Sequence, residues 1–530
     1  MAQTMTLKLN APGMTSLHKA GLAGLFMTLR ALDEKKRKID GLEWTPATNQ
    51  ITLNWTKDDQ RAAFKKLVEN SFSVENHFVR FTGMEIDREP SIEQKEHIAT
   101  ALLNTFFQHG KHRSTGKKQA LRYQEDMDGK LCWIRNFAPI LEIKPYAQAV
   151  AEFIDDNGTF KESLKVAGWL YPGAGRRHGD NTRFSEPVEN ALALMYAPIG
   201  VVFYRLRSRM KGRKARVAMV VPDIRDLESY CELRRIAPMY ETLEMTASSA
   251  SDAALRFVTE IAGGDARKSL SQTTGSNGVH CRVFTFGIVP WNEQQKTRTF
   301  SHSVFSEKVK GLENYNLANA IFRNRWQTSK EEKDRRGTVT KPESFYVSPS
   351  TAREFISENI ANGNHWYHDL ATWLSRKEVR KGLSYRGERE RLNRMVKEAQ
   401  FDDETERLFI NVCQESWRRR MGKVSERATA SGADPGKLIQ KEFERLRLAV
   451  SHSRNAHRLR ETIVDFWARS GGNEELQGNG LLEVLPLFDE NNWRKARDLA
   501  LLSLISYQPK TPKEKQLLSE EETERDEDNE

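Results

Sequence analysis

With 530 residues and 38% hydrophobic content, the chain is too long for one ordinary core and too apolar to be disordered. Two or three domains are expected. The net charge of +10 hides an asymmetry: residues 520–530 hold eight acids and one base, leaving +17 on residues 1–519. Such a body suits a polyanionic partner, because phosphates neutralised by Lys and Arg release condensed counterions. The plainer alternative is a soluble basic protein. The four cysteines (Cys132, Cys231, Cys281, Cys413) have neither metal-ligand nor redox spacing, which fits a reducing cytoplasm. The most apolar stretch, Ala191 to Tyr204, is short, contains Pro198 and runs into Arg205, so it does not span a bilayer. No secretion signal is expected, and the protein is read as cytoplasmic.

The periodicity predicts a helix over residues 15–35, capped by Thr15 or Ser16 and apolar at Leu17, Leu22, Leu25, Phe26 and Leu29. Residues 40–56 predict a hairpin around Pro46-Ala47-Thr48-Asn49. Residues 58–110 read as mainly helical, and 111–120 as a basic loop. The run Ile199 to Arg209 predicts a strand that turns at Lys211-Gly212 and returns over Ala215 to Val221. Another strand is expected over 279–289, after the loop Thr273 to Gly278. Residues 325–350, polar and charged, read as a linker or surface excursion. Beyond about 350 helical patterns replace strand patterns, over 403–427, 436–469 and 491–507, with glycines 471–472 and 478–480 between the last two. The fold class is α+β: a mixed N-terminal body with β-hairpins (1–350), a helical connector (351–394), an all-α bundle (395–508) and an acidic disordered tail (509–530).

The sequence carries no intact catalytic signature. Gly110 to Lys118 has five residues between its glycines and Lys118 where a phosphate loop needs Ser or Thr. His368-Asp369 lacks the further ligands of a metal-dependent phosphohydrolase. His109 with His112, and His452 with His457, have no third ligand and stand among bases that repel a cation. No metal, cofactor or catalytic centre is predicted.

What is present is positive charge. Seven bases and no acid lie between 205 and 216, and Arg205, Arg207 and Arg209 alternate, so a strand would project them from one face as a cationic ridge. A solvated edge hairpin is the competing reading. The loop Pro172 to Arg183 combines Gly173, Gly175 and Gly179 with Arg176, Arg177, His178 and Arg183. Glycine lets backbone approach a phosphate and arginine grips one bidentately; a plain surface loop would look the same. The uncharged loop Ser271 to Gly278 holds Gln272, Thr274, Ser276 and Asn277, types that read base edges, although an ordinary hairpin loop is the simpler account. Arg418 to Arg420 and Arg454, Arg458 and Arg460 give the helical part a basic face, which a merely solvated face would also show.

The opening Leu9-Asn10-Ala11-Pro12-Gly13-Met14-Thr15-Ser16-Leu17-His18-Lys19-Ala20-Gly21-Leu22-Ala23-Gly24-Leu25, the Tyr171–His178 loop, the Val201–Arg209 strand and the helical end resemble, across the whole chain, a known family. It is the large subunit of a type I CRISPR Cascade surveillance complex, nearest to the cyanobacterial and myxobacterial type I-A/I-B variety. The resemblance implies a non-catalytic subunit that holds the crRNA 5′ handle and reads the protospacer-adjacent motif on double-stranded target DNA. It opens the duplex into an R-loop while the guide supplies most of the sequence specificity. The implied partners are crRNA, target DNA, the other Cascade backbone subunits and small subunits, and a helicase–nuclease or transposition effector; no membrane is involved. Gln272, Thr274, Ser276 and Asn277 are then candidates for motif reading. Arg205, Arg207, Arg209, Lys211, Arg213 and Lys214 would grip the DNA backbone. Arg176, Arg177, His178 and Arg183 would hold the handle or a neighbouring backbone, and Arg419, Arg420, Arg454 and Arg458 the displaced strand. The helical end resembles the separate small subunit of related systems, with Met395 as a candidate internal start. Two rival classes are a metal-independent endonuclease for repeat RNA, built on His178 among arginines, and a protein-binding scaffold.

Overall fold

A computed structural model describes residues 3–56, 60–85, 90–124, 131–165, 169–172, 185–210, 216–236, 244–261, 280–291, 294–305, 310–329, 332–333, 336–341, 344–385, 387–471 and 473–508. The α+β class holds, with small sheets in the N-terminal region and helices beyond. The chain divides into two units. The first comprises residues 1–312 and 323–363, the second residues 313–322 and 364–530.

The first unit opens with β1 (Gln3–Lys8), α1 (Ser16–Glu34), β2 (Leu42–Ala47) and β3 (Gln50–Trp55), the strands pairing antiparallel in the order β1-β3-β2. Helix α1 and the hairpin stand where periodicity put them. Next come α2 (Gln60–Ser71), β4 (Phe72–Glu75), β5 (Phe78–Phe81) and α3 (Ile92–Asn104). The β4–β5 hairpin corrects the mainly helical reading of 58–110. Asn76 and His77 both have positive φ (49° and 71°), as a two-residue type I′ hairpin turn requires. Strands β6 (Arg113–Thr115), β7 (Gln119–Gln124), β8 (Leu131–Phe137) and β9 (Ile140–Ile143) pair as β6–β9 and β7–β8. After α4 (Lys144–Phe153), β10 (Ser163–Lys165) pairs with β11 (Ser185–Pro187).

Two short helices, α5 (Val188–Met195) and α6 (Ala197–Gly200), lead into β12 (Val202–Leu206) and β13 (Val217–Pro222). The expected strand from Ile199 thus starts late, because Pro198 begins a helical turn. Following α7 (Leu227–Ile236), β14 (Thr246–Ala247) and α8 (Ala250–Arg256), the long hairpin β15 (His280–Trp291) and β16 (Gln294–Phe305) completes a five-stranded sheet. Its order is β14-β12-β13-β15-β16, parallel only between β12 and β14. Helix α1 crosses α5 and α6 with backbones in contact: a Cβ on Gly21 would lie 1.9 Å from the Ala193 carbonyl oxygen, and one on Gly200 1.7 Å from that of Ala20.

Residues 325–350 are no linker. After α9 (Leu312–Ile321), β17 (Arg325–Ser329) pairs antiparallel with β20 (Ser344–Ser348), and the short strands β18 (Glu332–Lys333) and β19 (Val339–Lys341) pair between them. Helix α10 (Thr351–Ala361) packs on α8 within the first unit. Its Arg353 is fully buried, 3.1 Å from the equally buried Asp252, and donates to Asn324 Oδ1 at 2.7 Å.

The second unit is helical: α9 together with α11 (Leu370–Ser375), α12 (Lys377–Tyr385), α13 (Glu388–Glu398), α14 (Glu404–Ala430), α15 (Pro435–Ser451), α16 (Ala456–Ser470), α17 (Gly480–Val484) and α18 (Trp493–Ser506). The helix starts follow local signals. Asp403 accepts from the Glu406 N–H, Asn455 from the Arg458 N–H, and Pro435 follows the cap Asp434. Apolar α18 is the core against which α11, α13, α14, α15 and α16 pack. The division therefore falls after Gly363, with α11 to α13 inside the helical unit rather than forming a connector. Met395 is fully buried in α13. Tyr367 donates to the buried Glu406 (2.8 Å), and Asp498 of α18 accepts the N–H groups of Asp369 (2.8 Å) and Leu370 (3.2 Å) at the start of α11.

Candidate nucleic-acid interface

Strand β12 lies inside the sheet and all five of its residues are buried, Arg205 included. A guanidinium there needs a buried partner, and Glu96 of α3 supplies it at 2.8 Å. Beside this pair, His97 Nε2 donates to the Phe203 carbonyl at 2.8 Å. Arg205 is thus a core ion pair, which corrects its assignment to the DNA backbone. The strand ends at Leu206, so the alternating ridge does not form. Arg207 is half-buried, its guanidinium 5.8 Å from the Tyr346 ring centre, with its pKa lowered mainly by desolvation. Arg209 donates to Ser348 at 2.6 Å, and Ser208 between them donates to Glu354. Residues 207–209 of the basic run are therefore tied to β20 and α10, and Arg205 to α3. Lys211, Arg213 and Lys214 lie outside the described residues, as do the handle candidates Arg176, Arg177, His178 and Arg183, the motif-reading candidates Gln272, Thr274, Ser276 and Asn277, and the acidic tail.

Residues on either side of the glycine-rich loop are nevertheless placed. Tyr171 donates to Glu186 Oε1 (2.9 Å), Asn190 to Glu186 Oε2 (3.1 Å), and His18 Nε2 stands 3.5 Å from the same carboxylate. His18 Nδ1 accepts the Thr15 N–H, so its ring proton is on Nε2 and faces Glu186. Desolvation lowers the pKa of His18 although Glu186 opposes it. The opening sequence thus contributes a buried clamp that joins the residues flanking the loop.

In the helical unit the four displaced-strand candidates separate into two kinds. Arg419 bridges Glu415 (2.6 Å) and Glu474 (2.9 Å), and Arg420 is largely buried against Glu442 (2.8 Å). Hydrogen bonds from Arg418 and Arg419 hold the Glu415 carboxyl down at about 2. Arg454 is exposed and has no charged partner among the described residues. Arg458 is exposed with only Glu461 at 3.1 Å, a solvent-screened pair worth little. One basic stretch that periodicity passes over, Lys35 to Lys38, is exposed at the end of α1.

The rings of His109 and His112 come within 5.9 Å, but burial pushes His112 down to about 4. Among the described residues no group of three or more His, Cys, Asp or Glu is placed to hold a metal ion, and no helix is long and apolar enough to cross a membrane.

The two units should respond oppositely to acid. Burial, reinforced by Arg205, pushes His97 down to about 4 from 6.5. The unfolded chain binds that proton first, so this contribution is lost as pH falls from 6.5 toward 4, about 2 kcal/mol of it between pH 7 and pH 5. Burial pushes Asp498 up to about 6 from 3.8, so the folded second unit takes up its proton first and gains about 1 kcal/mol over the same interval. Hydrogen exchange, corrected for intrinsic rates, should show core amides of β12 and β13 less protected at pH 5 and those of α18 no less protected. Loss in both units alike would contradict this.

Residues 6–195 match the DevT N-terminal domain and residues 397–530 the DevT C-terminal domain, together more than half of the chain. The chain belongs to the Cas8-type large subunits of type I CRISPR systems. It is similar to CRISPR-associated protein Cas8a1/Csx13 of Myxococcus xanthus (strain DK1622), 28% identical over 530 residues that cover 96% of this chain and 89% of that protein.

Proposed function

We propose that this chain is the non-catalytic large subunit of a cytoplasmic, RNA-guided DNA surveillance complex. It contacts the crRNA 5′ handle through Arg176, Arg177, His178 and Arg183, and reads the protospacer-adjacent motif through Gln272, Thr274, Ser276 and Asn277. Lys211, Arg213 and Lys214 hold the duplex backbone during R-loop opening, while Arg454 and Arg458 meet the displaced strand. Backbone and small subunits complete the assembly, which recruits a helicase–nuclease or transposition effector. Family membership joined to the +17 excess on residues 1–519 carries this reading. Guide pairing supplies the sequence specificity, and the protein supplies electrostatics and the short motif. The test is to co-express the tagged chain with its neighbouring genes and a CRISPR array, sequence the bound RNA and weigh each polypeptide. A uniform guide RNA with backbone subunits is expected. A clean protein without RNA or partners would overturn the reading, and cleavage of repeat RNA by the chain alone would replace it with the endonuclease.

A shorter product beginning at Met395 belongs to the same reading. Such a product lacks α11, α12 and most of α13, so Glu406 loses Tyr367 and Asp498 loses both N–H groups that it caps. Buried acceptors that lose part of their donor set are costly, even though Lys495 still pairs with Glu406 and Arg497 with Asp498. A fragment of residues 395–530 is expected to melt about 10 °C below one of residues 364–530 by calorimetry. Equal midpoints would show that the upstream helices contribute nothing.

A further inference from the structure

We infer that Lys36, Arg37 and Lys38, in the turn that ends α1, form a contact site for the phosphodiester backbone of nucleic acid. The turn is built rather than loose. The Lys36 N–H donates to the Asp33 carbonyl and the Arg37 N–H to the Leu32 carbonyl, both at 2.9 Å, the paired bonds of a Schellman motif. Leu32 before the run and Ile39 after it are buried, so both ends are anchored in the core.

Lys36 occupies the left-handed position of this motif, with φ +52°. Glycine is the residue that takes this conformation without a Cβ penalty. A lysine is held here against its conformational preference, at an exposed position.

The surrounding carboxylates are already engaged. Asp33 accepts from Trp44 Nε1 (3.0 Å), Glu34 pairs with Arg235 (2.7 Å), Asp40 with Lys66 (3.2 Å), and Glu85 with Lys35 (3.2 Å) and Arg80 (2.7 Å). Among the described residues no carboxylate pairs with Lys36, Arg37 or Lys38. Favourable charge at a helix C-terminus falls off within about a turn, and Lys35 already takes the C-cap position of α1, so it does not account for three further cations. Three exposed, uncompensated cations on a fixed turn match successive phosphates, which position a nucleic acid without reading its sequence.

This inference rests on the nucleic-acid-binding reading above, and the test separates the two. The purified full-length chain is titrated, over a range of salt, with a short random-sequence duplex DNA and with a mixed-sequence single-stranded RNA. Lys36→Gly should raise the melting midpoint by about 2–4 °C, because glycine suits the left-handed position, and yet weaken binding. The triple variant Lys36→Gly, Arg37→Gln, Lys38→Gln should weaken binding at least about tenfold. It should also lower the slope of log affinity against log salt by about 2.7 on duplex, or about 2.1 on single strand. Loss on the duplex alone identifies target DNA as the partner, loss on RNA alone identifies the guide, and loss on both identifies a general backbone contact. If the parent chain binds and the variants bind equally with the same slope, this inference is overturned and the function stands. If the parent binds neither probe, the nucleic-acid reading falls and this site with it.

Discussion

Gly200→Ala is expected to cost the first unit about 3 kcal/mol or more, a large fraction of an ordinary domain's stability. The added Cβ would sit 1.7 Å from the Ala20 carbonyl oxygen and 2.6 Å from its carbon. Both atoms belong to the backbone of α1, so no side-chain rotation relieves the overlap. Gly21→Ala should behave alike, because its Cβ would fall 1.9 Å from the Ala193 carbonyl oxygen. Separating α1 from α5 and α6 would open a core in which Leu22, Leu25, Leu29 and Leu32 are fully buried. Gly422→Ala is the control: it lies within α14 with nothing inside 4 Å of the new Cβ, and should stabilise by about 1 kcal/mol. Denaturant titration of the three variants checks the contrast. A Gly200→Ala midpoint equal to that of the parent would mean that the helices are not in backbone contact.

The second large effect is expected at Arg353. Its guanidinium and the Asp252 carboxylate are both fully buried, and Ser248 donates to the same carboxylate oxygen, through its N–H at 2.7 Å and its hydroxyl at 2.9 Å. Arg353→Met leaves a charge in the core without its counter-ion and should cost about 3–5 kcal/mol. Adding Asp252→Asn removes the stranded charge and should restore about 1–2 kcal/mol. If the double variant is no more stable than Arg353→Met alone, the loss comes from packing rather than from the stranded charge.

Sequence alone predicted those parts whose signal is local. Helix α14 and the stretch that holds α15 and α16 keep apolar positions at helical spacing, so their outer boundaries fall within a few residues of expectation, whereas the break between Ser451 and Ala456 divides what reads as one stretch over 436–469. The β4–β5 hairpin escaped because its turn, Asn76-His77, lacks the glycine that usually marks a type I′ turn. Arg205 was misread for a different reason. Alternating arginines on a strand look solvent-facing until a buried carboxylate is known to face one of them, and Glu96 is 109 residues away in the chain. Long-range pairing of this kind leaves no local mark. The same blindness runs the other way at Lys36 to Lys38, which helical periodicity passes over because they follow the last apolar position of α1. Arg454 precedes α16 and Arg458 stands in its first turn, both exposed, as a basic helix face requires.

Helix α9 sets an order of events during synthesis. It is drawn from between residues 312 and 323 yet packs in the unit that otherwise begins at 364, and Asn314 exchanges two hydrogen bonds of 2.8 Å with the Gln400 backbone. The polypeptide therefore passes from one unit to the other three times. On the ribosome α9 emerges first and waits while residues 323–363 complete the earlier unit, so the helical unit closes around a piece of chain that was made ahead of it. A single proteolytic nick after Gly363 would not release that unit, since α9 still tethers it. Full release takes cuts on both sides of α9 as well.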